Sequence, residues 1–184
     1  MTVLKLSSAN SNTLDPTDAQ EIQAVIQKAY DLEVKAARDF DTSAFAEVFV
    51  NDARVSLDPS TIAFVKSVKV KIGQTPRDDY GFLDYKIAYY ELWQAGALAS
   101  EALREKAQQE NRDLTPEENQ SLAGNMPRAQ GPGKRVSLVF HSITGKGDRA
   151  SAVFDDGPRI NQFQLVKINS QWYIAGWTIL EVHA

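Results

Sequence analysis

Three side chains in this sequence are suited to general acid–base chemistry: Tyr30, Asp58 and His141. A phenol, a carboxylate and an imidazole can exchange a proton with a substrate if they converge in one pocket. In that arrangement His141 or Asp58 would take the proton, and Tyr30 would stabilise the developing oxyanion. The sequence alone does not show that the three side chains meet.

Each of these residues also has a structural interpretation, which the local pattern favours. Asp58 precedes Pro59, a pairing typical of turns. His141 occupies a strand-like run of alternating residues, where a hydrogen-bonded histidine is common. Tyr30 borders the apolar stripe of a predicted helix, so that it can belong to the edge of the core.

Four further side chains could contact a ligand: Tyr89, Trp93, Asp155 and Trp177. Aromatic rings stack on flat ligands, but Tyr89 and Trp93 also have the spacing of packing residues on a helix. Asp155 lies just before Gly157, and turn chemistry is the simpler explanation for it.

The composition excludes several kinds of site. There is no cysteine, which removes disulfides, thiolate nucleophiles and thiolate metal ligands. The two histidines, His141 and His183, are far apart in sequence, and no phosphate-binding or dinucleotide-binding motif is present. We therefore expect no metal and no cofactor. A net charge of −4 gives nucleic acid no net attraction, and no apolar run approaches the roughly 20 residues of a membrane-spanning helix.

The chain has the length of one domain. Residues 1–14 are predicted to be a flexible tail, and residues 15–184 a single α+β domain in which 79–130 is an extended helical insertion. The tail lacks the continuous apolar core of a signal peptide, which favours a cytoplasmic location.

Helical spacing and capping residues predict the first elements. A helix is expected over 17–38, after Asp15 and Pro16, and a shorter one from Asp41 to about residue 51. A hairpin should follow, because Val68, Val70 and Ile72 alternate with lysines as in a strand. The stretch 62–65 could instead be helical.

A long helix is predicted over 79–111 and a short one over 116–122. The long helix should bury one stripe, whose members have coiled-coil-like spacing: Phe82, Tyr85, Tyr89, Leu92, Gly96, Ala99 and Leu103. The residues 124–133, rich in glycine and proline, are expected to form an exposed connection.

Four antiparallel strands are predicted at the C-terminus, over 135–144, 149–155, 159–168 and 172–182. The two-residue turn Asn169-Ser170 fixes the register of the last pair. Helices followed by an antiparallel sheet predict an α+β fold with the helices on one face.

Two patterns resemble the nuclear transport factor two-like superfamily, which includes ketosteroid isomerase and SnoaL-like cyclases. One runs from Phe40 to Val55, like the second helix and first strand of that family, and the other is the hairpin from Leu165 to Ile174. The resemblance implies a cone-shaped, strongly curved antiparallel sheet wrapped around the N-terminal helices. It also implies a pocket between the sheet and the helices, where family enzymes place acids and bases.

The last predicted strand has apolar side chains on both faces. Trp172 and Ile174 would point to one face, and Tyr173 and Trp177 to the other, which suggests that the second face is covered as well. A second copy of the chain, giving a homodimer, is the favoured cover; the long helix is the alternative.

Two classes of function remain open. The first is a binding protein, which would take a small apolar ligand in the cone or dock a partner while large side chains fill the cone. The second is a cofactor-independent lyase, isomerase or cyclase working by proton transfer.

Overall fold

The computed structural model describes residues 14–125 and 136–183. The predicted tail lies outside these residues except for Leu14, and so does the predicted connection from residue 126 onward. The described chain is an α+β fold with four α-helices and one open, four-stranded antiparallel sheet.

The helices are α1 (Pro16–Asp39), α2 (Pro59–Lys71), α3 (Phe82–Gln109) and α4 (Pro116–Asn125). The prediction for α1 is confirmed: the Asp15 side chain accepts a hydrogen bond from the backbone N–H of Thr17, and Pro16 is the first helical residue. The predicted long helix corresponds to α3 and the short one to α4. The helix predicted after Asp41 is reduced to one 3-10 turn, Phe45–Glu47.

The predicted hairpin before residue 72 is wrong, because this segment forms α2. Asp58 is its N-cap, and its Oδ1 atom accepts hydrogen bonds from the backbone N–H groups of Ser60 and Thr61, both at 3.0 Å. Val65 and Val68 are buried in a small cluster with Tyr80 and Ala88, and this packing decides for the helix. The alternation of apolar residues with lysines in this segment therefore does not correspond to a strand, and Val70 is exposed.

The sheet has the order β1-β2-β3-β4, with β1 at Val139–Lys146, β2 at Arg149–Asp155, β3 at Arg159–Ile168 and β4 at Gln171–Val182. The predicted antiparallel pairing is confirmed. Asn169 and Ser170 have φ angles of 49° and 64°. Two positive φ angles in a two-residue loop match the twist of the paired strands, so this turn sets the register of β3 and β4.

The core lies between the sheet and the helices. Its largest buried side chains include Trp172, Phe154, Phe45 and Phe49, and α1 adds Ile22 and Ile26. The stripe predicted on α3 is only partly correct. Phe82 and Gly96 are buried, whereas Tyr89 and Ala99 are exposed and other positions of the helix, such as Ala88 and Tyr90, are buried instead.

Three irregularities in strand pairing interrupt the alternation of side chains between the two faces. In β4 the register shifts at Ala175: Ile174 pairs with Leu165, whereas Trp177 pairs with the core residue Phe163. Directly paired residues share a face, so Trp177 lies on the core face, as Trp172 and Ile174 do. The prediction that Trp177 points to the second face is therefore wrong. In β1 a similar shift leaves His141 without a paired residue on β2, and a second shift in β4 leaves Leu180 without one on β3.

The second face of the sheet is covered in part by the chain's own loop, 51–57. A side chain at Gly176 would lie 3.0 Å from a methyl group of Val55, so this loop passes over β4. Arg54 bonds to Asp148 at 3.1 Å, which anchors the loop to the start of β2. This cover is neither the long helix nor a second copy. Because Trp177 lies on the core face, it gives no reason to place a partner over the second face.

Candidate functional site

A buried carboxylate, Asp156, organises a polar cluster where α1 meets the turn between β2 and β3. The Tyr30 hydroxyl donates to Asp156 Oδ2 at 2.9 Å, across 126 residues of sequence. Arg159 donates to the same carboxylate from its backbone N–H at 2.9 Å and from Nη2 at 3.1 Å. These three donors compensate the cost of burying the charge.

The second half of this cluster surrounds Trp177 on the core face. Its indole N–H donates to Oδ1 of the fully buried Asn161 at 2.9 Å. The guanidinium carbon of Arg159 lies 5.3 Å from the centroid of the indole ring, and Lys86 Nζ lies 5.5 Å from it. Lys86 also forms a salt bridge with Glu33. The ring is thus held by two cations, and each cation is neutralised by a carboxylate.

The electrostatics of the cluster are those of a structural network. Burial raises the pKa of Tyr30 well above its ordinary value, and the charge of Asp156 adds to that effect. The phenol therefore stays protonated and acts as a hydrogen-bond donor. Arg159 Nε is buried and has no hydrogen-bond partner among the described residues. No local pattern predicts Asp156, Arg159 or Lys86 as partners of Tyr30 and Trp177, since these contacts form only on folding.

The three acid–base candidates do not form one constellation. Tyr30 is bonded to Asp156, Asp58 caps α2, and His141 is exposed on the edge strand β1. No hydrogen bond joins any two of them within the described residues. The hydrogen bonds from Ser60 and Thr61 lower the pKa of Asp58, so it stays ionised as a cap should.

The ligand-binding candidates are also divided. Asp155 accepts a hydrogen bond from the backbone N–H of Gly157 at 2.7 Å, and its other oxygen lies 3.1 Å from His183 Nε2. Trp177 belongs to the core-face cluster. Only Tyr89 and Trp93 meet, with ring centroids 5.1 Å apart.

Tyr89 and Trp93 are part of a row of aromatic rings where α2 crosses α3. We call Phe64, Tyr85, Tyr89 and Trp93 the aromatic strip. Phe64 contacts Tyr85 and Tyr89 at centroid distances of 6.0 and 6.1 Å, and Tyr85 lies 6.4 Å from Tyr89. Tyr89 remains 41% exposed, while the other three are half-buried. The strip is thus a surface of mutually packed aromatic rings in contact with solvent.

Two open grooves lie elsewhere on the surface. One runs along α3 beside Glu101 and Arg104. The other, of about 340 Å³, lies between α1 and the turn of the β3–β4 hairpin, beside Lys28, Glu47 and Trp172. Neither groove is lined by Tyr30, Asp58 or His141.

Residues 14–125 and 136–183 contain no group of three His, Asp or Glu side chains that could hold a metal ion. No helix in these ranges has the length and apolar character needed to span a membrane. Comparisons with protein families, with curated proteins and with solved structures find no match to this chain.

Proposed function

We propose that this protein is a non-catalytic binding protein that docks a partner polypeptide through the aromatic strip. The observation that carries the proposal is Tyr89, a large side chain left 41% exposed although four other rings contact it. A side chain that its neighbours already immobilise loses little conformational entropy on binding. Interaction hot spots are enriched in tyrosine and tryptophan, and interfaces are enriched in phenylalanine as well.

Two lysines on the helices that carry the strip, α2 and α3, are paired with carboxylates of the same chain. Lys69 and Glu91 bond to each other at 2.6 Å, and both are largely buried. Lys86 is paired with Glu33 in the same way. Because these charges are neutralised within the chain, they offer little attraction to a charged ligand. Apolar side chains of a partner would gain most from contact with the rings.

An open strip suits a polypeptide better than a small molecule. Small ligands usually bind in concave sites that enclose most of their surface. The strip is formed by side chains on the outside of two crossing helices. For this reason we place docking of a protein segment ahead of a small apolar ligand.

The interior supports a binding role over the acid–base alternative. Phe45, Phe49, Phe154 and Trp172 are fully or almost fully buried between the sheet and the helices, the space in which an active-site pocket would have to open. We propose that the fold is the filled counterpart of the cone suggested by the resemblance to the nuclear transport factor two-like superfamily. The order of helices before a four-stranded meander supports this proposal, as does the parallel bridge of Phe49 to Ile174, near the position of the family's first strand.

The experiment is an NMR titration of the folded protein with indole and phenol as probes of hot spots. We expect saturable, weak binding that shifts the Trp93 indole resonance more than the Trp172 and Trp177 resonances. Tyr89→Ala should abolish these shifts. Tyr173→Ala is the matched control, since Tyr173 is a half-buried tyrosine on the opposite sheet face.

The proposal fails if indole and phenol produce no saturable shifts, or if the shifts persist in Tyr89→Ala. It also fails if the probes enter the core and shift the Trp177 resonance, because that result would indicate a pocket for small molecules.

A further inference from the structure

Strand β4 has one half of its free edge covered and the other half open. The covered half is paired by the segment after the 3-10 turn: the Ile174 N–H donates to the Val48 carbonyl at 2.8 Å, and the Val50 N–H donates to the Ile174 carbonyl at 3.0 Å. From Gly176 to Val182, the free edge has no backbone partner among the described residues.

The open half carries a concentration of exposed apolar side chains. Ile179 is 44% exposed, Leu180 51% and Val182 66%. These are three of the eight large hydrophobic side chains exposed on the described chain. Gly176–Val182 contains no lysine and no proline, which usually protect an edge strand from pairing. Glu181 is its one charged residue.

We propose that this open edge pairs with the same edge of a second copy, giving a homodimer with a continuous eight-stranded sheet. An antiparallel strand can pair with its own copy about a two-fold axis, so both edges are satisfied by one contact. With the axis at Ile179, the two Glu181 side chains lie on opposite sides of the axis, one towards each end of the contact. No like charges meet in this register, and the two Ile179 side chains lie side by side.

The size of the contact sets its expected strength. Seven residues, from 176 to 182, extend about 23 Å at the usual rise per residue of a strand. Stable protein interfaces usually bury about 1,200–2,000 Å² in total, and one strand pair of this length offers a small contact by that measure. We therefore expect a dimer that dissociates in the micromolar range. This proposal does not depend on the aromatic strip.

The test is sedimentation velocity of the full chain across micromolar concentrations. The wild type should move from the monomer to the dimer coefficient as concentration rises. Ile179→Lys should remain monomeric, because two lysines would lie opposite each other, and Ile179→Glu should do the same. An equimolar mixture of these two variants should form the dimer again, since opposite charges then meet on the axis.

Two control variants test whether surfaces other than the β4 edge contribute to the dimer. Val70→Lys changes an exposed apolar residue on α2, and Gln164→Lys changes an exposed residue on the second sheet face. Both should dimerise like the wild type. Loss of the dimer in Gln164→Lys would instead place the interface on the sheet face.

A wild type that stays monomeric throughout would overturn the proposal. In that case the register shift at Leu180 protects the edge by twisting it away from partners. Failure of the lysine and glutamate variants to dimerise when mixed would exclude the two-fold axis at Ile179. If Ile179→Lys and Ile179→Glu each dimerise like the wild type, the edge of β4 has no role in assembly.

Discussion

Replacing Trp172 with alanine tests how the last hairpin is attached to the helices. Trp172 is buried in the core, and its indole N–H donates to Asp18 Oδ1 at 2.9 Å. Lys167 Nζ binds the same oxygen at 2.5 Å and lies 5.6 Å from the centroid of the indole ring. The side chain therefore joins the start of α1 to β3 and β4 through packing and through a charged hydrogen bond.

We expect Trp172→Ala to lower the free energy of unfolding by about 3–5 kcal/mol, the usual cost of truncating a buried large aromatic. Trp172→Phe keeps most of the ring but loses the N–H donor. Its cost should be about 1.5–3 kcal/mol, the contribution of a hydrogen bond to a charged group. The cost of losing the ring's packing and the cost of losing its hydrogen bond are not expected to add. Asp18 keeps Lys167 as its partner in both variants.

Urea unfolding followed by circular dichroism measures both values. Leu98→Ala is the control, because Leu98 is 60% exposed on α3 and its loss should change stability by less than about 0.5 kcal/mol. A loss below about 1 kcal/mol in Trp172→Ala would contradict this expectation, because it would mean that the indole is not packed in the core in solution.

The pH dependence gives an independent check on the same contact. The hydrogen bond from Lys167, followed by that from Trp172, lowers the pKa of Asp18 below its ordinary value of 3.8. A carboxyl whose pKa is lowered by folding contributes stability above its unfolded pKa, and this contribution is lost as the pH falls through the folded value. We expect the loss on acidification to be smaller in Trp172→Phe, measured by urea unfolding at several pH values below 5.

Three further predictions concern the polar cluster and the turns. Tyr30→Phe should lower the free energy of unfolding by about 1.5–3 kcal/mol, because it removes a donor to the buried Asp156 carboxylate; a change below about 0.5 kcal/mol would contradict this role. Asp58→Ala should lower the helical circular dichroism signal while Asp58→Asn preserves it, and equal losses in both would argue against the cap. Gly157→Ala should lower the free energy of unfolding by about 1–2 kcal/mol, because Gly157 has a φ angle of +98°, which side chains rarely adopt, although no atom would contact the added methyl group. An unchanged stability in urea unfolding would mean that the turn rearranges.

Elements whose signals are local could be predicted from the sequence alone. The start of α1 at Asp15 and Pro16, the turn at Asn169-Ser170 and the bounds of β2 and β3 follow from capping, turn chemistry and hydrophobic pattern within a few residues. Each of these features is set by backbone geometry and hydrogen bonds among residues close in sequence, so it does not depend on contacts with distant segments.

Tertiary packing decided the rest. The segment of α2 has alternating β-branched residues, but burial of Val65 and Val68 beside Tyr80, together with the Asp58 cap, outweighs that local preference. A register shift at Ala175 moves Trp177 to the core face, and a strict alternation of side chains cannot anticipate it. The candidate site depends on tertiary structure most of all. The Tyr30 hydroxyl finds Asp156 126 residues away, and the exposure of Tyr89 is set by how α2 crosses α3. Contacts between distant segments depend on the whole packing arrangement, which no short stretch of sequence encodes.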